Sequence, residues 1–402
     1  NACPVCGPQL SWHDADGRPL AGDPLTEAAA ALASGAVVAI KGLGGFHLAV
    51  DAGSAAAVER LRVRKHRPGK PLAVMVADLA AAERLCRVAP VEAELLTSTE
   101  HPIVLLDRLP AADLAPEVAP GLGILGVMLA YTPLHHLLLA EPQAPAVLVM
   151  TSGNSSDEPI CTGNDEALTR LRGLADFFLL HNREIVTRVD DSVARVMAGR
   201  PRLLRRARGY SPVPILLRRP TQDILACGAE MKNSFCLVRR GEAYLSQHIG
   251  ELTGPECLDF YRESITHLQG VLEVAPPQVA CDLHPDYLSS RHARALGLPC
   301  SGIQHHHAHV GAVLAEQGLD GPVLGLVLDG TGYGGDGTVW GGEVLRADRG
   351  DSARLGRLAL LPLPGGDRAA REPWRMALAL LHRSLGRAAL EPANQPESLR
   401  AI

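Results

Sequence analysis

Gln304-His305-His306-His307-Ala308-His309, then an apolar run over residues 323–328, then Asp329-Gly330-Thr331-Gly332-Tyr333-Gly334, is the stretch that decides how this chain is read. A helix turns once every 3.6 residues, so a helix over the histidines puts His305 and His309 on one face, where both can address one metal ion. The apolar run reads as a strand that delivers Asp329 at its end, and a carboxylate there completes a His/His/Asp ligand set. The glycines that follow read as a turn whose backbone amides can approach phosphate closely. Helix, strand and glycine turn in this order bring a metal and a nucleotide to one cleft. His306 and His307 fall off the ligand face and read as cover for the helix surface.

Around that stretch lies a chain of 402 residues, too long for one ordinary core and of a length that fits about two or three domains. Apolar residues at 47% and charged residues at 21% fit a globular protein, while 3% aromatic argues against a surface built to stack bases. A net charge of -5 offers no general attraction to nucleic acid, which makes a nucleic-acid partner a poor expectation. The cations cluster locally, over residues 62–70 and 200–208, as suits a small polyanion such as a nucleoside triphosphate. No apolar run approaches the eighteen residues of a membrane span, and no basic start is followed by a hydrophobic stretch, so the expected location is cytoplasmic.

Of nine cysteines, seven are scattered without framework spacing and read as reduced, packed thiols. Cys3 and Cys6 differ, because Cys3-Pro4-Val5-Cys6-Gly7 is half of a zinc knuckle and a closed site needs four ligands. Starting at Asn1 without an initiator Met, the chain reads as a fragment whose missing upstream region holds the other ligands.

An alanine-rich helix is expected over residues 26–34, a β-branched strand over 36–40, and then the turn Lys41-Gly42-Leu43-Gly44-Gly45. Apolar runs at 71–76, 103–106, 147–150 and 177–180 alternate with helical stretches such as 54–64. Residues 20–212 therefore read as one α/β domain, with 1–19 as the zinc-knuckle remnant and 213–220 as a linker. Short strands at 224–227, 235–238 and 243–246 open a second α/β domain, 221–402, whose next helix carries Phe260, Tyr261, Ile265, Leu268 and Leu272 at helical spacing.

In the first domain Arg64-Lys65-His66-Arg67-Pro68-Gly69-Lys70-Pro71 suppresses helix and leaves cations on an irregular loop that can grip phosphate. Arg67 offers a planar fork, and Lys65 and Lys70 act as point charges suited to a departing pyrophosphate. Thr151-Ser152-Gly153-Asn154 follows a strand and can orient a small planar acid.

The set Lys65-His66-Arg67, Ser152-Gly153-Asn154 and Asp191-Ser192-Val193 resembles the YrdC/Sua5 fold, whose members activate a carbamate-type acid with ATP. Gly228-Ala229-Glu230-Met231-Lys232-Asn233, His305, His309 and Asp329-Gly330-Thr331-Gly332 resemble the TsaD-type carbamoyl-transfer enzymes of the actin and sugar-kinase superfamily. Arg206-Ala207-Arg208-Gly209-Tyr210 and the histidine-rich stretch resemble in particular the family that joins both modules, the HypF carbamoyltransferases of [NiFe]-hydrogenase maturation. The fold so implied is α/β multidomain: a YrdC/Sua5-like domain followed by a partial actin/sugar-kinase-like domain.

The resemblance implies that carbamoyl phosphate supplies a carbamate, that ATP converts it to carbamoyl-AMP, and that a cysteine of the partner HypE receives the carbamoyl group. It implies that Lys65, Arg67, Ser152, Asn154 and Ser192 hold carbamate and ATP, with Arg206 and Arg208 as phosphate contacts. Lys232 and Asn233 fall in one phosphate loop and Gly330, Thr331 and Gly332 in another. Magnesium accompanies the triphosphate. The resemblance also implies that His305, His309 and Asp329 bind a metal, for which this donor set suits Zn2+ or Fe2+, and Cys3 and Cys6 are expected to bind Zn2+ only together with upstream cysteines. An upstream acylphosphatase domain and a second lobe after Ile402 are implied to be missing. The competing expectations are a threonylcarbamoyl-adenosine tRNA-modification enzyme and a non-enzymatic RNA-binding module.

Overall fold

A computed structural model describes residues 3, 5–155, 158–218, 221–366 and 368–391. The chain divides into two compact units, Asn1–Ala280 with Tyr287–Cys300, and Cys281–Asp286 with Ser301–Ile402. Among the described residues no helix is long and apolar enough to cross a membrane.

The first unit is built on an eleven-stranded sheet: β1 (Leu10–Asp14), β2 (Val38–Lys41), β3 (Phe46–Asp51), β4 (Ala73–Val76), β5 (Cys86–Arg87), β6 (Ile103–Arg108), β7 (Ile124–Leu129), β8 (Val147–Ser152), β9 (Phe177–His181), β10 (Val193–Met197) and β11 (Arg200–Arg205). Their order is β1-β9-β2-β3-β8-β4-β7-β6-β10-β11, with β5 on β6. Successive residues of a strand face opposite sides, so Val37 and Ala39 join one buried cluster while Val38 and Ile40 join the other. Both faces of the sheet are therefore covered, which is why its central strands read as unbroken apolar runs.

Local chemistry sets the helix starts. Asp23 caps the helix Pro24–Ala33 through the Leu25 and Thr26 amides, and Ser54 caps Ala55–Arg64 through the Ala57 amide. The second of these ends at Lys65, so the cationic loop springs from a helix end and faces the exit of β8, where Ser152 sits. The first nineteen residues do more than carry cysteines: β1 pairs antiparallel with β9, and Trp12 stacks on Phe177 at 5.0 Å.

A second sheet has the order β12-β15-β14-β13-β16-β17, from β12 (Ile215–Leu216), β13 (Ile224–Ala226), β14 (Cys236–Arg239), β15 (Glu242–Leu245), β16 (Val279–Asp282) and β17 (Cys300–Ile303). The expected linker thus supplies an edge strand, because Ile215 and Leu216 pair with Ala243 and Glu242. The helix Pro255–Leu272 buries Phe260, Tyr261, Ile265, Leu268 and Leu272, the stripe read from the sequence. Its Tyr261 hydroxyl donates to Cys227 O at 2.9 Å.

In the second unit the helix His305–Gln317 starts under the Gln304 side chain, which accepts the His307 amide, and ends at Gly318 in the left-handed region. Val310 and Leu314 pack on Val327, Leu345 and Ala347 of the sheet β18 (Val323–Tyr333), β19 (Val339–Ala347), β20 (Ser352–Arg357).

One expectation is corrected here. The strand does not stop at residue 328: it continues through Asp329-Gly330-Thr331-Gly332 to Tyr333, with a register shift between Leu328 and Gly332. The glycines form a bulged strand instead of a turn. Gly332 is needed because a Cβ there would lie 2.5 Å from the His306 ring, so helix and strand can close only without it.

Candidate active and metal sites

Lys65 is buried, and its ammonium donates to Ser152 O at 2.5 Å and Asn154 Oδ1 at 3.0 Å. Ser152 Oγ donates to the same Asn154 oxygen at 2.8 Å, and Asn154 Nδ2 donates to Glu158 O at 2.6 Å. Arg67 donates to Thr151 Oγ1 at 3.1 Å and Pro71 O at 2.5 Å. The four residues expected to form one site therefore do come together, at the end of β8. The intervening His66 holds a φ of 49°, a left-handed conformation that turns Lys65 and Arg67 toward the same place.

Desolvation, followed by the charge of Arg67, pushes Lys65 down to about 7. Desolvation, followed by Arg62, pushes Arg67 down to about 10. Lys70 is lowered by the same two causes, burial and then Arg67. Such crowding of desolvated cations disfavours the charged forms until an anion arrives. Arg62, expected as one of the clustered cations for a polyanion, instead ties the loop down: it donates to Glu117 O at 2.6 Å, Arg67 O at 2.8 Å and Lys70 O at 3.1 Å.

Ser152 and Asn154 open onto a cavity of about 520 Å³, a size that holds a nucleotide-scale ligand. Lys70, Arg205, Arg206, Lys232 and His248 line it as well. Arg205 pairs with Asp190 at 2.7 Å, and burial lowers Arg206. His248 is pushed down to about 4 by desolvation and then by Arg205, so it is a neutral ring among cations at neutral pH. Neither Asp190 nor His248 carries a motif that would have exposed it, since each is recognisable only once the two sheets bring it to the cavity wall.

Other expected phosphate contacts are placed differently. Ser192 is fully buried; its hydroxyl donates to Arg208 O at 2.9 Å and accepts the Ala207 amide at 2.8 Å. Arg208 donates to Asp191 Oδ1 at 3.0 Å, Glu100 O at 2.9 Å and His101 O at 2.8 Å, and its guanidinium lies 3.6 Å from the Tyr131 ring centroid. Both hold the 205–208 segment against the sheet, and neither lines the cavity. Asp191 anchors this knot: it also accepts from His47 Nε2 at 3.0 Å, and these partners hold it far below the usual carboxylate range despite its burial. Asn233 is buried and ties its loop to Cys227 O and Ala229 O, while Lys232 beside it holds a φ of 48° and reaches the cavity.

In the second unit His305, His309 and Asp329 offer ligand atoms that all lie within 4.8 Å of one another. His305 Nε2 is 3.0 Å and His309 Nε2 3.9 Å from Asp329 Oδ2. That Asp329 oxygen is buried and receives no hydrogen bond, as a metal-facing carboxylate would be. His309 remains half exposed, so the cluster has one open side. The donor set fits Zn2+ or Fe2+.

Behind it lies Asp282 at the end of β16, whose Oδ2 accepts from His305 Nδ1 at 2.7 Å. This hydrogen bond is the largest cause of the raised pKa of His305. The sequence signal was the same as for Asp329, a carboxylate closing an apolar strand, but Asp282 lacks the glycine-rich run that follows Asp329. His306 and His307 point away from the ligands as expected, but they do not simply cover a helix surface. His306 is fully buried and donates from Nε2 to Gly341 O at 2.9 Å, and His307 Nε2 donates to Asp348 O at 2.7 Å.

Gly330 and Thr331 are exposed on the bulged strand, where the Gly330 amide donates to Asp329 Oδ1 at 2.7 Å. Cys3 and Cys6 are exposed, and the Val5 amide donates to Cys3 Sγ at 3.4 Å as in a metal knuckle. Hydrogen bonds from Cys6 and Val5 lower the Cys3 thiol. Among the described residues no third ligand joins them.

Comparison with known proteins covers nearly the whole chain. Residues 30–207 match the Sua5/YciO/YrdC family described as "Telomere recombination", residues 219–316 the "HypF Kae1-like domain", and residues 325–401 the "Carbamoyltransferase, Kae1-like Domain, second subdomain". Carbamoyltransferase HypF2 of Cupriavidus necator is 54% identical over 400 residues, 94% of this chain and 49% of that protein. Carbamoyltransferase HypF of Synechocystis is 47% identical, over 94% of this chain and 50% of that one. A crystal structure of full-length HypF in a phosphate- and nucleotide-bound form superposes with a TM-score of 0.91 at 46% identity, covering 95% of this chain and 50% of the other. The structure of HypF from T. kodakarensis gives 0.90 at 42%, covering 95% and 51%. The chain spans about half the length of these relatives. With a YrdC-like region and both Kae1-like subdomains in sequence and in fold, the chain belongs to the HypF family.

Proposed function

We propose that this chain is the part of an ATP-dependent carbamoyltransferase of hydrogenase maturation that activates carbamate and passes on the carbamoyl group. The observation that carries the reading is the convergence of Lys65 and Arg67 on the strand end that carries Ser152 and Asn154, two residues that line a cationic cavity of about 520 Å³. Carbamate derived from carbamoyl phosphate attacks the α-phosphorus of ATP through its carboxylate oxygen. The bond to the β-phosphate oxygen breaks, pyrophosphate leaves with its electron pair, and carbamoyl-AMP remains.

Lys65 and Arg67 answer the charge that grows on the leaving oxygens. Their desolvated, lowered state means that this charge is taken up without reorganising water. Asn154, held by Ser152 Oγ and Glu158 O, presents a fixed amide to the planar acid. In the second half-reaction the cysteine thiolate of HypE attacks the carbamoyl carbon and AMP leaves. A divalent ion on His305, His309 and Asp329 would supply a Lewis acid for that step. The likeness to HypF carbamoyltransferases supports the substrate choice.

Incubation with magnesium-ATP and a carbamate source, followed by mass spectrometry of the quenched mixture, is expected to show carbamoyl-AMP. Its absence from a sample that binds ATP would refute the activation step. Nucleotide binding that collapses with salt as steeply as binding to a long RNA would favour an RNA-binding module instead.

A further inference from the structure

We propose that Asp282 is the positioning residue of the second site: it fixes the tautomer and orientation of His305 so that Nε2 presents its lone pair to the metal. This rests on the metal reading of His305, His309 and Asp329.

The geometry is specific. Asp282 Oδ2 lies 2.7 Å from His305 Nδ1, while Asp329 Oδ2 lies 3.0 Å from Nε2 of the same ring, so two carboxylates face the two nitrogens. A neutral imidazole has one N–H, and the two sides compete for it. The Asp282 contact is the shorter of the two and has hydrogen-bond geometry, whereas Asp329 Oδ2 receives no hydrogen bond. The proton therefore stays on Nδ1, and Nε2 is left as an acceptor on the side where His309 Nε2 and Asp329 converge.

Asp282 is itself held. Its Oδ1 accepts the His284 amide at 2.8 Å, and the Leu283 amide donates to Ile303 O at 3.1 Å, so its backbone is fixed directly beneath the start of the histidine helix. An outer carboxylate of this kind raises the basicity of the ligating nitrogen and removes the entropy of ring rotation.

Asp282→Asn tests the idea with nearly the same volume. Its amide oxygen can still accept the His284 amide, but its NH2 then donates to Nδ1 and drives the proton to Nε2. Two readouts are used on the full chain. Zinc affinity is measured by competition with a fluorescent chelator, and the tautomer of His305 is read from ring 15N shifts of the metal-free protein at a pH where the ring is neutral, assigned with His305→Gln. The expected result is Nδ1–H in the unaltered chain, Nε2–H in Asp282→Asn, and a zinc affinity about 10- to 100-fold lower in the variant.

Asp282→Glu, which keeps an acceptor, should retain the Nδ1–H form. Equal zinc affinity in the unaltered chain and Asp282→Asn, or an Nε2–H ring in the unaltered chain, would overturn the proposal. If the unaltered chain takes up no zinc, the metal reading fails, and the 15N shifts still decide whether Asp282 sets the tautomer. Should Asp282→Asn not fold, the shifts of the unaltered chain and of Asp282→Glu decide it.

Discussion

The loop that carries Lys65 and Arg67 and the helix that carries His305 and His309 treat charge in opposite ways. In the first, the ammonium and guanidinium groups donate to neutral oxygens, Ser152 O, Asn154 Oδ1, Thr151 Oγ1 and Pro71 O, and burial lowers both cations. In the second, the nitrogens face the carboxylates Asp282 and Asp329. Desolvated positive charge is relieved by a polyanion, and a set of nitrogen and carboxylate donors is relieved by a cation. The contrast teaches that each site is complementary to what it lacks, and that the two should respond independently to mutation and pH.

The comparison can be broken most forcefully beneath the first site. Asp191→Ala removes the anchor of Arg208 and His47 and leaves a buried guanidinium without its carboxylate. A loss of about 3–5 kcal/mol is expected in denaturant unfolding of the first unit. Zinc uptake at the histidines should persist at denaturant concentrations below that transition.

Next in size is Arg67→Ala. If its guanidinium meets charge developing on pyrophosphate, the variant loses about 2–4 kcal/mol of transition-state stabilisation in carbamoyl-AMP formation, read from kcat/KM. Metal content should not change. An unaltered rate would remove Arg67 from the chemistry.

A pH series sharpens the difference further. With Lys65 near 7 in the free protein, a bound triphosphate favours the ammonium, so binding takes up a proton above that pH. ATP affinity is therefore full below pH 7 and falls as pH rises, by at most about tenfold per unit, equivalent to about 1.4 kcal/mol. Lys65→Met should bind more weakly and without this slope. A flat profile in the unaltered chain would show that Lys65 does not titrate on binding.

The smallest expected effect is Ser54→Ala, which removes the cap of the helix that ends at Lys65. It should cost about 1 kcal/mol of stability, seen as a shifted unfolding midpoint with unchanged slope.

Much of this was legible in the residues because it depends on local spacing. His305 and His309 share a helix face by period alone, and Ser152 and Asn154 sit at a strand end that the apolar run announces. The stripe of Phe260, Tyr261, Ile265, Leu268 and Leu272 was likewise a period-3.6 pattern. What escaped was non-local. Arg208 and Ser192 carry the chemistry of phosphate contacts, yet a tertiary partner, Asp191 for one and the Ala207 amide for the other, takes their hydrogen bonds. Asp282 and His248 acquire meaning only through neighbours distant in sequence. The glycines at 330 and 332 were read as a turn because a turn and a bulge use the same residue; pairing of Gly332 with Trp340 decided for the bulge.

The most direct test of the central claim, that a cationic activation site and a histidine metal site do separate chemistry, is carbamate-dependent ATP–pyrophosphate exchange in three proteins: the unaltered chain, Arg67→Ala, and a His305→Ala, His309→Ala double variant. The account predicts exchange in the first, a loss of about 30- to 1,000-fold in the second, and an undiminished rate in the third, which should carry no metal. No exchange from an unaltered chain that binds ATP, or equal loss in both variants, would contradict it.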